Sequence, residues 1–162
     1  MVNQAVLSLG GNIGDREQTL KNAISEIEDI KDVELVSTSS FYESVAVTLS
    51  GEDENAPKFL NCVVKISTKL EPKKLLKKLF EIENNHGRVR LERWGPRTLD
   101  IDIIVFGSEF VQTKSLQIPH PRAHQRGFVL IPWSEIDPEA VLPGHGSVAK
   151  LAERFRSSVQ EV

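Results

Sequence analysis

Arg93-Trp94-Gly95-Pro96-Arg97-Thr98-Leu99-Asp100-Ile101-Asp102-Ile103-Ile104 is the stretch on which the reading of this chain turns. From Thr98 to Phe106 it reads as a strand, and side chains along a strand alternate between two faces. Leu99, Ile101 and Ile103 then point one way, while Asp100 and Asp102 point the other. Upstream lies a basic loop at 88–97. Before that, Pro72 opens a predicted helix with an inner face of Leu75, Leu76, Leu79, Phe80 and Glu83, which stops near His86-Gly87. Residues 59–68 form a strand, 44–57 a polar surface loop, and 33–43 another strand rich in β-branched and aromatic residues. Residues 16–29 form a helix with Asp15 as N-cap and Gln18 three residues on, a capping-box pattern. The apolar run 4–10 is the first strand, joined to that helix by the turn Gly10-Gly11-Asn12-Ile13-Gly14. Strand-helix-strand-strand-helix-strand over residues 4–106 is the split βαβ order of a ferredoxin-like sheet, antiparallel with both helices on one face.

Beyond Phe106 the sequence predicts a short hairpin, a Pro/His/Arg loop at 119–126, an apolar strand at 128–132 and a helix from about 147. With no internal repeat or linker, residues 1–162 are expected to form a single α/β (α+β) domain whose last third covers the bare face of the sheet. The 162 residues suffice for a real core. A net charge of −3, with 27% charged and 40% hydrophobic residues, excludes a surface built for nucleic acid. No apolar run approaches the roughly 20 residues that cross a bilayer. Met1-Val2-Asn3-Gln4 lacks the charged and apolar regions of a secretion signal, so a cytoplasmic protein is expected. The single cysteine, Cys62, excludes an internal disulfide and sits in the apolar run Leu60–Val64, where it reads as a small core residue.

Local charge tells more than the total. Arg88, Arg90, Arg93, Arg97, Arg122 and Arg126 crowd one part of the chain, and arginine suits bidentate recognition of oxyanions. Asp100 and Asp102, about 6.5–7 Å apart on one face of a strand, can share hard cations such as Mg²⁺, which keep coordination positions for phosphate oxygens. An Asp-x-Asp on an edge strand also faces water in proteins that bind no metal. It is the arginine loop directly ahead of it that turns the pair into a parts list for phosphoryl transfer, where positioning and charge neutralisation supply most of the catalysis. The early glycine turn is not a phosphate loop: neither GxxxxGK[ST] nor GxGxxG occurs. Trp94 reads equally as a base-stacking platform or as core, and His120, in Pro119-His120-Pro121-Arg122, as a loop imidazole with or without a phosphate partner.

The run Arg93–Ile104 resembles the signature of the 6-hydroxymethyl-7,8-dihydropterin pyrophosphokinase family. Flanking matches span nearly the whole chain: Leu9-Gly10-Gly11-Asn12, Ser39-Ser40-Phe41-Tyr42, Phe59-Leu60-Asn61, Gly87-Arg88-Val89-Arg90, Pro119-His120 and Arg126-Gly127-Phe128. The resemblance implies a ferredoxin-like core extended into a three-layer α-β-α domain. It also implies transfer of the β,γ-pyrophosphoryl group of ATP to the pterin hydroxymethyl group in folate synthesis, with release of AMP. Asp100 and Asp102 would hold two Mg²⁺ ions. Arg88 and Arg97 would be catalytic, with Arg90, Arg93, His120 and Arg126 on ATP phosphates and Glu83, Trp94 and Ile103 on the nucleotide. Phe59 and Phe128 would sandwich the pterin, Asn61 would pair with its amide edge, and Ser44 with Val45 or Val47 would line the same pocket. The partners implied are ATP and the pterin alone, with the protein a monomer.

The chain departs from that family at Ser44-Val45-Ala46, in place of a threonine and prolines, and at Phe59, in place of a common tyrosine. It departs again at Phe80, where glutamine is frequent, and by one residue fewer between Arg90 and Arg93. A nucleotidyltransferase, which would release pyrophosphate, gives no role to Trp94-Gly95-Pro96 or to Pro119-His120. A non-catalytic ferredoxin-like module that binds RNA is opposed by two carboxylates on the strand where RNA would lie.

Overall fold

A computed structural model of the chain describes residues 2–48, 51–53, 58–87 and 98–162, with 46–48 and 51–53 described for their backbone alone. In chain order the elements are β1 (Asn3–Gly11), α1 (Arg16–Glu28), β2 (Val33–Thr38), β3 (Tyr42–Ser44), β4 (Ala46–Thr48), β5 (Gly51–Asp53), β6 (Phe59–Thr68) and α2 (Pro72–Asn85). There follow β7 (Asp100–Phe106), β8 (Val111–Gln112), β9 (Gln117–Ile118), α3 (Gly127–Ile136), β10 (Val141–Leu142), β11 (Gly146–Ser147), α4 (Val148–Ala152) and β12 (Val159–Glu161).

The main sheet runs β12-β3-β6-β1-β7, with β2 also paired to β6, and its ladders are antiparallel. This is the predicted ferredoxin-like order with one C-terminal strand added at an edge. β1 is buried without a break from Ala5 to Leu9, and β6 from Leu60 to Val64. Unbroken buried runs of that kind, apolar but for Ser8 and Asn61, mark strands covered on both faces. Ala5, Leu7, Leu9, Cys62, Val64, Ile66, Ile101 and Ile103 pack against Leu20, Ala23 and Ile27 of α1 and Leu75, Leu79 and Ile82 of α2. On the other face Val6, Val63, Ile104 and Tyr42 pack against Val129, Leu130 and Trp133 of α3 and Val148 and Ala152 of α4. Each large apolar side chain buried in these layers contributes roughly 1.5–3 kcal/mol. Cys62 is core, as expected, and burial pushes its thiol up to about 12.

Local signals were largely sound. Gln18 donates its backbone N–H to Asp15 Oδ1 at 3.1 Å, although the Gln18 amide reaches Asn22 instead of turning back, so half of the capping box forms. Pro72 begins α2, and Gly87 follows its end at φ 70°, the left-handed conformation that glycine adopts without strain.

Four expectations need correction. Residues 33–43 are two strands along one partner: between Thr38↔Val64 and Tyr42↔Asn61 one chain advances four residues and the other three, so an extra residue breaks the ladder. The loop at 44–57 contains the short hairpin β4–β5. Phe80 is 42% exposed and not part of the inner face of α2, which is Pro72, Leu75, Leu79, Ile82 and Glu83. The run at 128–132 is helix α3 and not a strand. Apolar on every side and buried between the sheet and the C-terminal elements, it carries no periodicity that separates the two.

Candidate active site

The register of the sheet sets the site. On its α3-facing side, Tyr42, Asn61, Gly10 and Asp100 stand in one row across four strands. The next row holds Val63, Ser8 and Asp102. α3 closes over Val63 and Ile104, whereas the side chain of Asp102 remains 41% exposed. Asp100 and Asp102 thus share the face predicted for them, with Ile101 and Ile103 buried on the opposite one. A bulge explains why that alternation stops: register slips between Val6↔Val105 and Leu7↔Ile103, which leaves Ile104 as the extra residue and turns it toward α3. Gly10 leaves the middle of the first row bare. A Cβ there would meet Asn61 Oδ1 at 2.7 Å, so only glycine lets the amide lie flat across β1.

β7 is an edge strand, and two groups cover its outer backbone. Glu83, 2% exposed on α2, accepts the Ile101 N–H at 2.7 Å through Oε2. The His120 N–H donates to Ile104 O at 2.8 Å. That second bond draws the Pro119–Arg126 segment up to the carboxylates. Arg126 Nη1 stands 3.6 Å from Asp102 Oδ2, an ion pair too long to be a hydrogen bond, and its guanidinium lies 5.5 Å over the Phe128 ring. Burial lowers the Arg126 pKa, and Arg122 adds to that, while Asp102 and Asp100 oppose it. A guanidinium starts so far above neutrality that it stays charged.

His120 is held in one chemical form. Its Nδ1 accepts the Arg122 N–H at 3.2 Å, so the neutral ring carries its proton on Nε2 and presents a donor there. Burial, followed by the charges of Arg126 and Arg122, pushes its pKa down to about 4. Because the unfolded imidazole titrates near 6.5, the unfolded chain binds one more proton between about pH 4 and 6.5, and stability falls as pH drops through that window. Chemical denaturation from pH 4 to 8 is expected to show a shallower acid loss for His120→Gln than for the parent chain. Equal slopes in the two proteins would mean that His120 titrates normally.

On the other side of the bare row, Asn61 is 3% exposed and donates Nδ2–H to Ser44 Oγ at 2.7 Å. Phe59 pairs with Ser44 at the open end of β6. Phe128 lies in the first turn of α3, beside Arg126. Val45 is partly buried just after β3; Val47 lies in β4, where only the backbone is described. The Ile103 side chain is core, 3% exposed on the face opposite the carboxylates. Arg88, Arg90, Arg93, Trp94 and Arg97 lie outside the described residues. The structure adds Ser8 and Gly10, whose places only register reveals. It adds Arg122 too, whose charge reaches both His120 and Arg126 and whose signal in the sequence was its arginine neighbourhood.

Comparison with known proteins gives a consistent picture. A family model described as 7,8-dihydro-6-hydroxymethylpterin-pyrophosphokinase matches residues 6–138. The chain is 43% identical over 151 residues to the 2-amino-4-hydroxy-6-hydroxymethyldihydropteridine pyrophosphokinase of Haemophilus influenzae, covering 93% of this chain and 92% of that protein. It is 45% identical over 136 residues to the Bacillus subtilis protein of the same name, covering 84% and 79%. Among solved structures, the Plasmodium falciparum HPPK-DHPS with pterin and p-hydroxybenzoate superposes with a TM-score of 0.72 at 18% identity, over 97% of this chain and 42% of that one. At that identity the likeness is one of fold.

Proposed function

The chain belongs to the 7,8-dihydro-6-hydroxymethylpterin-pyrophosphokinase family, and we propose that its reaction centre is the open end of the α3-facing side of the sheet, with the phosphates at Asp100, Asp102, His120 and Arg126 and the pterin at Asn61, Ser44, Phe59 and Phe128. It is an ATP-dependent transferase of folate synthesis. The pterin hydroxymethyl oxygen attacks the β-phosphorus of ATP, the bond from that phosphorus to the α-bridging oxygen breaks, and AMP leaves.

The observation that carries the assignment is the shared face of Asp100 and Asp102 beside the partly buried guanidinium of Arg126. Among the described residues no acidic, histidine or cysteine cluster of three or more completes a metal cage. Two carboxylates alone fit a hard cation that takes its remaining oxygens from a triphosphate. Mg²⁺, in two copies in this reading, would be held by Asp100 and Asp102 and would offset the charge that develops during transfer. Arg126 then has a second anionic partner within reach, and the Nε2–H of His120 donates to a phosphate oxygen without bringing a charge that would compete with Arg126. Arg88 and Arg97, with Arg90, Arg93 and Trp94, keep the phosphate and nucleotide roles that the family resemblance gives them.

For the pterin, the Asn61 side chain is oriented by Ser44 and by the clearance at Gly10, which suits pairing with a flat amide edge. Phe59 and Phe128 supply rings to stack on it. Ser44 with Val45 or Val47 would line the slot, and Glu83 and Ile103 would help hold the nucleotide. The same reading makes residues 1–162 one catalytic domain, acting as a monomer in the cytoplasm. Among the described residues no helix is long and apolar enough to cross a membrane.

Phosphorus NMR of the protein with Mg-ATP and the hydroxymethyl-dihydropterin tests the reaction. AMP and a pterin diphosphate ester are expected in equal amounts. ADP with a monophosphate ester, or free pyrophosphate with a pterin adenylate, would replace the reading with simple kinase or nucleotidyl transfer.

A further inference from the structure

The segment that carries the pterin edge and the helix that carries the pterin wall are joined at one carboxylate. Tyr42, 7% exposed, donates its hydroxyl to Glu135 Oε1 at 2.5 Å. The Ser40 N–H donates to Glu135 Oε2 at 3.0 Å and Oε1 at 3.2 Å, and the Ser40 hydroxyl donates to Oε2 at 3.1 Å. Tyr42 at the start of β3 and Ser40 just ahead of it therefore converge on a single side chain of α3. Nothing in the chemistry proposed above uses this cluster.

Its position relative to the slot is specific. Glu135 follows Phe128 by seven residues, two helical turns, so both side chains leave α3 on the same side. Tyr42 is the row partner of Asn61, and Ser44, two residues further along β3, holds the Asn61 amide at 2.7 Å. One element thus bears the clasp at Tyr42 and the pocket hydroxyl at Ser44; the other bears the clasp at Glu135 and the ring wall at Phe128. The distance across the slot follows from how firmly the clasp closes. Burial and the Glu135 carboxylate raise the Tyr42 pKa above its ordinary value, with Glu161 adding to this and Arg156 opposing it, so the hydroxyl remains a donor at neutral pH.

We propose that Glu135 is a positioning residue for the pterin: by holding Tyr42 and Ser40 it fixes the separation between the Asn61–Ser44 edge and the Phe128 wall. This rests on the assignment of Asn61, Ser44 and Phe128 to the pterin slot. A side chain with that role acts on pterin affinity and leaves ATP, bound at the far end of the row, unaffected. A tie that merely stabilises the fold would lower the melting temperature and move neither constant.

Steady-state kinetics of the full chain, with ATP and pterin varied separately and thermal unfolding recorded in parallel, test it. Glu135→Ala is expected to raise the pterin KM about tenfold with the ATP KM changed less than about twofold, the loss of a charge-assisted hydrogen bond at one end of the slot. Glu135→Gln, which keeps an acceptor, should recover part of that, and Tyr42→Phe should raise the same constant about threefold. The double variant should be no worse than Glu135→Ala, because both changes open one clasp. Tyr42→Phe removes a single hydroxyl and serves as the test should Glu135→Ala fail to fold. An unchanged pterin KM in Tyr42→Phe and Glu135→Ala, or equal rises in both constants, overturns the clasp. Asn61→Ala separates the two layers of inference. If it raises the pterin KM while the clasp variants do not, the clasp alone is wrong; if it leaves that constant flat, the slot assignment fails and the clasp with it.

Discussion

Replacing Asp100 or Asp102 with alanine is expected to lower kcat by about a thousandfold or more while moving the melting temperature by only a few degrees. The two halves of that outcome have separate causes. Activity falls because an oxygen ligand for the cation is lost where charge develops, and a water molecule cannot replace a carboxylate held by a strand. Stability barely changes because each carboxylate is partly exposed and the contact between Asp102 and Arg126, at 3.6 Å, is a long ion pair. Pairs of that kind contribute about 0–1 kcal/mol. Removing one of two neighbouring like charges also relieves repulsion, which offsets the loss. Titration calorimetry of Mg²⁺ in the presence of a non-hydrolysable ATP analogue gives a readout apart from turnover: cation affinity should fall in both variants. Retention of near-parental kcat by either one would remove the metal assignment.

The same strand shows what a sequence discloses and what it conceals. Alternation of Asp100-Ile101-Asp102-Ile103 placed both carboxylates on one face, because strand geometry alone dictates it. The bulge at Ile104 left no trace, since Ile103, Ile104 and Val105 are equally apolar and only pairing with β1 shows which residue is extra. The row of Tyr42, Asn61, Gly10 and Asp100 was invisible for the same reason: register is a property of pairs of strands. The apolar run at 128–132 reads equally as strand or helix, because a segment apolar on all sides has no polar face to reveal its period. Helical spacing from Leu76 puts Phe80 on the expected inner face of α2, but the buried stripe runs through Leu75, Leu79 and Ile82 and leaves Phe80 outside it. Glu135 and Tyr42 lie 93 positions apart, and nothing in either neighbourhood announces the other.

Among the described residues, the two layers of helix cover the sheet unequally. α1 and α2 bury one face along the length of β1 and β6. α3 begins only at Gly127 and covers the half of the other face that holds Val6, Val63 and Ile104. Among the described residues, the rest of that face holds the polar and small residues Ser8, Gly10, Asn61, Asp100 and Asp102, of which Ser8 and Asn61 are themselves buried, and polar groups of this kind would destabilise a closed apolar layer. Arg126 and Phe128 sit at the start of that helix, where its apolar cover gives way to the polar part of the face.

Glu83 gives the second large effect, on stability and activity together. Its carboxylate is buried in the α2 face and accepts the N–H of Ile101, the residue between the two aspartates. Glu83→Ala removes that acceptor and leaves a void beside β7. A buried donor without its partner costs about 1–3 kcal/mol, and the cavity adds to it, for a total of roughly 2–4 kcal/mol. In a chain of this size that is a melting-temperature loss of roughly 5–15 °C. Because the freed segment is the one that carries Asp100 and Asp102, kcat should fall about 10- to 100-fold even at temperatures where the variant is folded. Glu83→Gln keeps a carbonyl oxygen for Ile101 and should recover most of the stability. The family resemblance assigns Glu83 to the nucleotide, and a residue acting only there would behave differently: its loss would raise the ATP KM and leave the melting temperature alone. Thermal unfolding and kinetics of Glu83→Ala and Glu83→Gln distinguish the two roles, and an unshifted melting temperature in Glu83→Ala would show that the strand does not depend on this bond.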